Sequence, residues 1–549
     1  MNLQPLDWLI VAIYAATVLG IAFWLVRKPE TSEGYFLAGR RLRWPFIGAS
    51  LFAANISAEH FVGLAGGGFA LGMAFGGFEW MAIYCLVPLI VLFLPFYIRN
   101  RIFTVPEFLE QRFSPAVRTT FSAFMIVLSV LAKVSISLWA SSIVFKNILG
   151  WNQTTVIWAV GLATAIYTMK GGLATVVYTD ALQTTVLLTA AVLLTVLGMR
   201  QVGGWAGLHA KLDPAMFSMV KPATDPDLPW PGMFIGVFLV GSFYWSMDQV
   251  LVQRVFAASS LNEGRLGAIF CGFLKISTPF LLVLPGLVAR ALYPQLTSTG
   301  GHASADDAYP TLLKNLMPTG CLGLTVAGIA AALMGHLSAT YNSIATLFTR
   351  DFYLKWKPQA GQREQIRVGR IAVLAVFVLG AFWAPIIGHF ESLYIYLQKV
   401  QAYMMMPFAG IFFFGVLWKR TTAAGVLACM AVTCVVEPLA MLNGEKHFLP
   451  FMEHPLLRPW LHSAMAAFVI CMIVLVGVSL LTSPTVEAKL MRTTIYGHGE
   501  PEGRSQVVSN LAPLARSSAE SDRGSPLRDY RLWLAARLAG TTVLWWWLR

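Results

Sequence analysis

Apolar residues run along almost the whole chain in blocks of roughly 17–25, the length that crosses a bilayer as a helix. About fourteen such blocks stand near 6–26, 44–73, 77–98, 120–147, 154–170, 178–200, 230–254, 266–289, 319–349, 368–388, 391–417, 421–442, 461–482 and 530–548. The pattern predicts an all-α polytopic membrane protein of about fourteen transmembrane helices. Two blocks are irregular. In the first, LFAANISAEH (51–60) sets Asn, Ser, Glu and His inside an apolar span, and FVGLAGGGFALG (61–72) follows, punctuated by glycine. Polar groups in hydrocarbon are costly and normally face a polar cavity. With the glycines they predict a helix broken at mid-membrane, the feature that marks a binding site in secondary transporters. The second irregular block, GVFLVGSFYWSMDQVLVQR (236–254), predicts another break near 241–248. Four blocks stand between the two broken ones, so each break opens a set of five, as in a five-plus-five inverted repeat with discontinuous first helices.

This divides the chain into an N-terminal extra helix and loop (1–43), a first repeat (44–200) and an outer loop (201–229). A second repeat (230–418), two peripheral helices (419–482), a linker (483–529) and a last helix (530–549) follow. Residues 496–528 are rich in Gly, Ser, Pro, Arg and Glu, the composition of a mobile linker. The closing VLWWWLR suits an interfacial tryptophan belt.

Composition narrows the class. Hydrophobic residues are 57% and charged residues 12%, with a mean hydropathy of +0.64; soluble domains carry about twice that charged fraction. The net charge of +13 raises a nucleic-acid reading. Its distribution removes it, because the basic residues cluster in alternate loops: Arg27, Lys28, Arg40, Arg41 and Arg43; Arg99, Arg101, Arg112 and Arg118; Lys355, Lys357, Arg363, Arg367 and Arg370. With the N-terminus outside, all of them fall on the cytoplasmic face, as the positive-inside rule requires. The first span lacks a basic n-region and a cleavage site and reads as retained. Cys85, Cys271, Cys321, Cys429, Cys434 and Cys471 are scattered singly, with neither disulfide nor metal-cluster spacing. No G-x-x-x-x-G-K-[ST] is present, so ATP-driven transport has no nucleotide motif here. Nor is there a nucleophile–base pair to suggest an enzyme.

Ionisable residues at membrane depth are Glu59, His60, Glu79, Lys133, Asp180, Asp248, Lys275, His336, Lys399 and Glu437. For Lys133, Lys399 and Glu437 in particular, the bland reading is a helix-end charge snorkelling to the headgroups. A sugar is held by carboxylate, amide, amine and imidazole groups on its hydroxyls, with an aromatic ring on its apolar face. Asn55, His60, Glu79, Tyr244, Lys275 and Gln398 supply that chemistry.

Four segments carry a family resemblance. These are YFLAGRRLRWPFIGASLFAANISAEHFVGLAGGGFALGMAFGGFEW (35–80), YTMKGGLATVVYTDALQT (167–184), YWSMDQVLVQR (244–254) and NSIATLFTRDFY (342–353). In this order they resemble the sodium/solute symporter family, specifically its sodium/glucose cotransporter branch, over about 6–482. The resemblance implies sugar-binding roles for Asn55, His60, Glu79, Lys275, Gln398 and Gln401, and a stacking inner-gate role for Tyr244 with Trp245 beside it. It implies a cation-coupling role for Asp180 and a sodium site using carbonyls of Ala53, Ile56 and Ala332. Gly241 replaces an Asn or Thr of relatives and is expected to leave room for a different or larger substrate.

The chain departs from the family where hydroxyls should complete the sodium site: AALMGHLSATYNS (331–343) sets Gly335 and His336 there. Glycine offers no ligand, and sodium prefers oxygen to imidazole nitrogen. Three readings stay open: His336 as a proton carrier in place of sodium; His336 as a fixed group, with coupling moved toward Asp180 or lost; or a one-residue register difference that brings Ser338 in. The expectation is a secondary symporter for a neutral, glucose- or galactose-like sugar coupled to sodium by alternating access. A proton-coupled or uncoupled transporter or sensor, and a polyol such as inositol, are the alternatives. No cofactor, nucleic acid or obligate protein partner is implied beyond the sugar, the coupling ion and the lipid. The compact loops point to a bacterial inner membrane.

Overall fold

The computed structural model describes residues 3–22, 29–297, 305, 307–387, 393–446, 454, 457–496 and 529–548. Among these the chain is helical, with two isolated β-bridges and no strand. The main helices are α1 (Pro5–Gly20), α2 (Trp44–Asn55), α3 (Ala58–Leu71), α4 (Met73–Arg99), α5 (Pro115–Lys146) and α6 (Gln153–Val202). Then come α7 (Gly232–Ser246), α8 (Gln249–Phe256), α9 (Leu261–Leu292), α10 (Cys321–Trp356), α11 (Gln362–Ile387), α12 (Leu393–Leu417), α13 (Ala423–Lys446), α14 (Trp460–Leu481) and α15 (Tyr530–Trp547). Nine of the described helices are long and apolar enough to cross a membrane, ten when the bent pair α7–α8 counts as one span.

Both expected breaks are present. Ile56 and Ser57 are extended between α2 and α3. α7 and α8 are bent by 48° around Met247–Asp248. The blocks 154–170 and 178–200 are the two helical segments of α6, which meet at a sharp break at Gly172, where the backbone is not helical. There φ is +59°, and a Cβ would stand 2.2 Å from the Tyr35 carbonyl, so glycine is needed both for the backbone and for the close approach.

Several helices widen by one π turn, at Leu89–Phe93 after Pro88, Ser129–Val134, Pro279–Val283 and Phe348–Tyr353. A proline without an N–H explains the shifts after Pro88 and at Pro279. α6 packs along α10, α2 along α9, and α4 against α7, so the two breaks share one core. Outside it α13 packs on α14. Part of the expected linker is docked: Glu487–Thr493 is a short helix, Lys489 Nζ donates to the Phe113 carbonyl (2.6 Å), and the Ile495 amide to that of Val416 (3.2 Å). Most of 496–528 lies outside the described residues.

Candidate functional site

The first break exposes the end of a helix. The last ladder bond of α2 runs from the Ile56 amide to the Phe52 carbonyl (2.9 Å), so Ala53, Ala54 and Asn55 turn their carbonyls past the helical ladder. On the other side Ser57 caps α3, its amide donating to His60 Nδ1 (3.3 Å). A ring nitrogen that accepts an amide proton carries none, which puts the proton of neutral His60 on Nε2. Asn55 Nδ2 crosses to the Tyr244 hydroxyl on α7 (3.2 Å), tying one break to the other.

At the second break Asp248 caps α8 by accepting the Val250 amide (3.0 Å) on Oδ1. Its Oδ2 is paired with Lys133, which reaches in from the π turn of α5 and also lies 5.6 Å from the centre of the Tyr244 ring. Lys133 is therefore buried and paired rather than snorkelling. Glu437 is also fully buried, whereas Lys399 is half-buried. The Glu59 side chain lies outside the described residues.

Between the breaks is a cavity enclosing about 70 Å³ of space reachable by the centre of a water molecule. All eight residues expected to bind substrate line it: Asn55 and His60, Glu79, Tyr244 and Trp245, Lys275, Gln398 and Gln401. Lys275 Nζ donates to Glu79 Oε2 (2.5 Å), so the cavity wall carries a compensated pair of charges. The remaining lining, which sequence reasoning missed, is mostly apolar: Phe78, Ala82, Cys85, Val237, Val240 and Leu397. Only the proximity of Phe78 to Glu79 could have flagged any of it. Gly241 does not leave free room, because a Cβ there would stand 2.5 Å from Cys85 Sγ, and the thiol uses that space. Phe78 and Gln398 also line a smaller cavity beside Leu228 and Trp460.

Of the residues expected at the cation site, Ala53, Gly335 and His336 meet elsewhere, where α10 crosses the end of α2. A Cβ on Gly335 would lie 3.3 Å from the Ala53 carbonyl and 2.9 Å from Gln183 Oε1. His336 Nδ1 is 2.6 Å from the Ala54 carbonyl. A carbonyl only accepts, so Nδ1 carries a proton, unlike Nδ1 of His60. Ser338 donates to the Gly335 carbonyl of its own helix (3.0 Å). Ala332 and Ile56 are buried. Asp180 accepts from Ser50 (2.5 Å) and has Arg254 at 3.8 Å, so its charge is balanced within the protein. Among the described residues no group of three or more His, Cys, Asp or Glu could hold a metal ion.

Comparison with known proteins matches this architecture. The model of the Sodium:solute symporter family matches residues 35–433. "Sodium/glucose cotransporter 4" of Danio rerio is 33% identical over 96% of this chain and 87% of its own. "Sodium/myo-inositol cotransporter" of Bos taurus is 34% identical over 98% and 85%. "Sodium/glucose cotransporter 2" of Rattus norvegicus is 36% identical over 77% and 69%. Among solved structures, the substrate-bound outward-open state of a Na+-coupled sialic acid symporter superposes with a TM-score of 0.76 at 21% identity, over 88% of this chain and 99% of that one. This last likeness is one of fold. Taken with the two breaks and the cavity between them, the family match over most of the chain means that the protein belongs to the sodium:solute symporter family and is a multi-pass membrane transporter, not an enzyme.

Proposed function

We propose that the protein is a secondary active symporter that carries a neutral sugar or polyol through the cavity between the two helix breaks, driven by sodium. The observation that carries this reading is the meeting of eight polar and aromatic side chains from five stretches of chain on one cavity. Glu79 and Lys275 neutralise each other, which favours an uncharged substrate over a sugar acid. Asn55, His60, Gln398 and Gln401 offer hydroxyl partners, and Tyr244 and Trp245 offer ring faces. Relatives named for glucose and for myo-inositol make both compounds the first substrates to try.

In this reading 44–200 and 230–418 rock about the cavity as inverted repeats in a plasma membrane, with the N-terminus outside. The carbonyls of Ala53, Ile56 and Ala332 would receive sodium. A ligand shifts such an equilibrium only by its differential affinity for the two states, so cation and sugar must favour the same one.

A second reading is favoured by one observation. His336 already donates to the Ala54 carbonyl and Gly335 offers no ligand, which suits a pocket that does not take sodium. Transport would then follow another gradient or only equilibrate its substrate.

Uptake of glucose, galactose and myo-inositol into proteoliposomes, under an imposed sodium or proton gradient, separates the two. One cation moving down 100 mV supplies about 2.3 kcal/mol, enough for roughly 50-fold accumulation. Sodium-driven accumulation supports the first reading. Accumulation with protons alone, or equilibration only, supports the second. No saturable uptake or binding of any of the three would sink both.

A further inference from the structure

The sequence reads α15 as a last membrane helix with an interfacial tryptophan belt, and its packing is that of a structural partner of the substrate cavity. Arg537, at its middle, is fully buried. A guanidinium inside a membrane span is costly, and no ion pair holds this one among the described residues. Its hydrogen bonds go to two different helices. Nη2 donates to the Ile83 carbonyl of α4 (3.0 Å) and Nη1 to the Ala268 carbonyl of α9 (3.4 Å). Ile83 is one turn past Glu79, and Ala268 two turns before Lys275. Gly272 of α9 makes the room: a Cβ there would stand 2.1 Å from Nη1.

The contact continues along α15. Thr542 hydrogen-bonds the Tyr84 hydroxyl (3.0 Å), and Trp545 packs edge-on against Trp80 (5.6 Å). Trp80 Nε1 in turn donates to the Ile276 carbonyl (3.1 Å). α4 and α9 are thus joined by two adjacent rungs. Glu79–Lys275 faces the cavity, and Trp80–Ile276 stands against α15.

We propose that Arg537 is a positioning residue for the substrate cavity: it clamps α4 to α9 and so fixes the Glu79–Lys275 pair in the cavity wall. The proposal rests on the reading of that cavity as the substrate site. The planar fork of arginine can bridge two carbonyls in a fixed geometry, which a lysine ammonium cannot.

Transport kinetics in proteoliposomes test it, with glucose and myo-inositol as probes. Arg537→Met is expected to raise KM at least about fivefold with Vmax within about twofold. Gly272→Ala, which displaces the guanidinium but keeps it, should do the same. Trp546→Ala, on an exposed face of α15, should change neither. In a Glu79→Gln/Lys275→Met background, Arg537→Met should add no further rise. An unchanged KM in both Arg537→Met and Gly272→Ala, or an additive rise in the neutral-pair background, overturns the proposal.

A second measurement does not need the sugar: the distance between spin labels at positions 101 and 260, near the facing ends of α4 and α9. It should shift in Arg537→Met and Gly272→Ala and hold in Trp546→Ala. A distance unchanged in all three overturns the clamp. Wild-type protein without saturable uptake would instead sink the cavity reading, while the label distance still reports on the clamp.

Discussion

At the break between α2 and α3, the described partners are hydrogen bonds of amide, hydroxyl and imidazole groups, whereas the break between α7 and α8 is closed by a buried ion pair. His336 meets the Ala54 carbonyl, and Asn55 meets Tyr244. Lys133 meets Asp248, and the same carboxylate caps α8. The energies differ. A hydrogen bond of the first kind is worth about 1 kcal/mol net, while removing one partner of a buried ion pair costs about 3–5 kcal/mol. On the proposed function, a bound cation or sugar is expected to rearrange the first break at small cost and to leave the second in place as a pivot. Tyr244 touches both, with its hydroxyl on Asn55 and its ring near Lys133, so it is expected to couple the two breaks.

The largest expected effect breaks the pivot. Lys133→Met or Asp248→Asn alone strands a buried charge and should cost about 3–5 kcal/mol of stability. Thermal unfolding of the detergent-solubilised protein checks this, and the Lys133→Met/Asp248→Asn double variant should recover most of the loss. Equal destabilisation in single and double variants would show that the pair is not what holds the break.

Next come the walls between the breaks. Glu79→Ala and Gln398→Ala should each lower sugar uptake by on the order of a hundredfold, as expected for lost hydrogen bonds to a buried substrate. Membrane insertion should be retained. Uptake with the wild-type KM in either variant would refute the site.

A smaller effect is expected at the break between α2 and α3. His336→Ser should cost about 1 kcal/mol through the lost bond to Ala54. Paired with Gly335→Ser, it supplies two hydroxyl oxygens beside the Ala53 and Ala54 carbonyls, so sugar binding should become more responsive to sodium than in the wild type. Titrating sugar affinity in sodium against potassium reads this out. Identical sodium responses in wild type and double variant would mean that these two positions do not set ion sensitivity.

The smallest is Tyr244→Phe, which keeps the ring and removes only the hydroxyl bonded to Asn55. A KM rise of about fivefold, near 1 kcal/mol, is expected; an unchanged KM would mean that the breaks do not communicate through this bond.

Much of this was open to reading along the chain. Apolar blocks of bilayer length located the helices, and polar residues with glycines inside two of them located the breaks, because hydrocarbon tolerates such groups only around a cavity. The cavity-lining set followed from residue chemistry and from the family resemblance together. What the chain order could not supply was partnership. Lys133 looked like a snorkelling end until Asp248, over a hundred residues away, proved to be its counter-ion. Gly241 looked like spare room until Cys85 proved to use it. The break between the blocks 154–170 and 178–200 falls at Gly172 because the Tyr35 carbonyl approaches there, and the role proposed for Arg537 rests on the carbonyls of α4 and α9. Sequence determines where a polar group is too costly to leave in lipid. Only the tertiary structure decides which distant group compensates it, since that depends on distances of a few ångströms between helices that local periodicity does not encode.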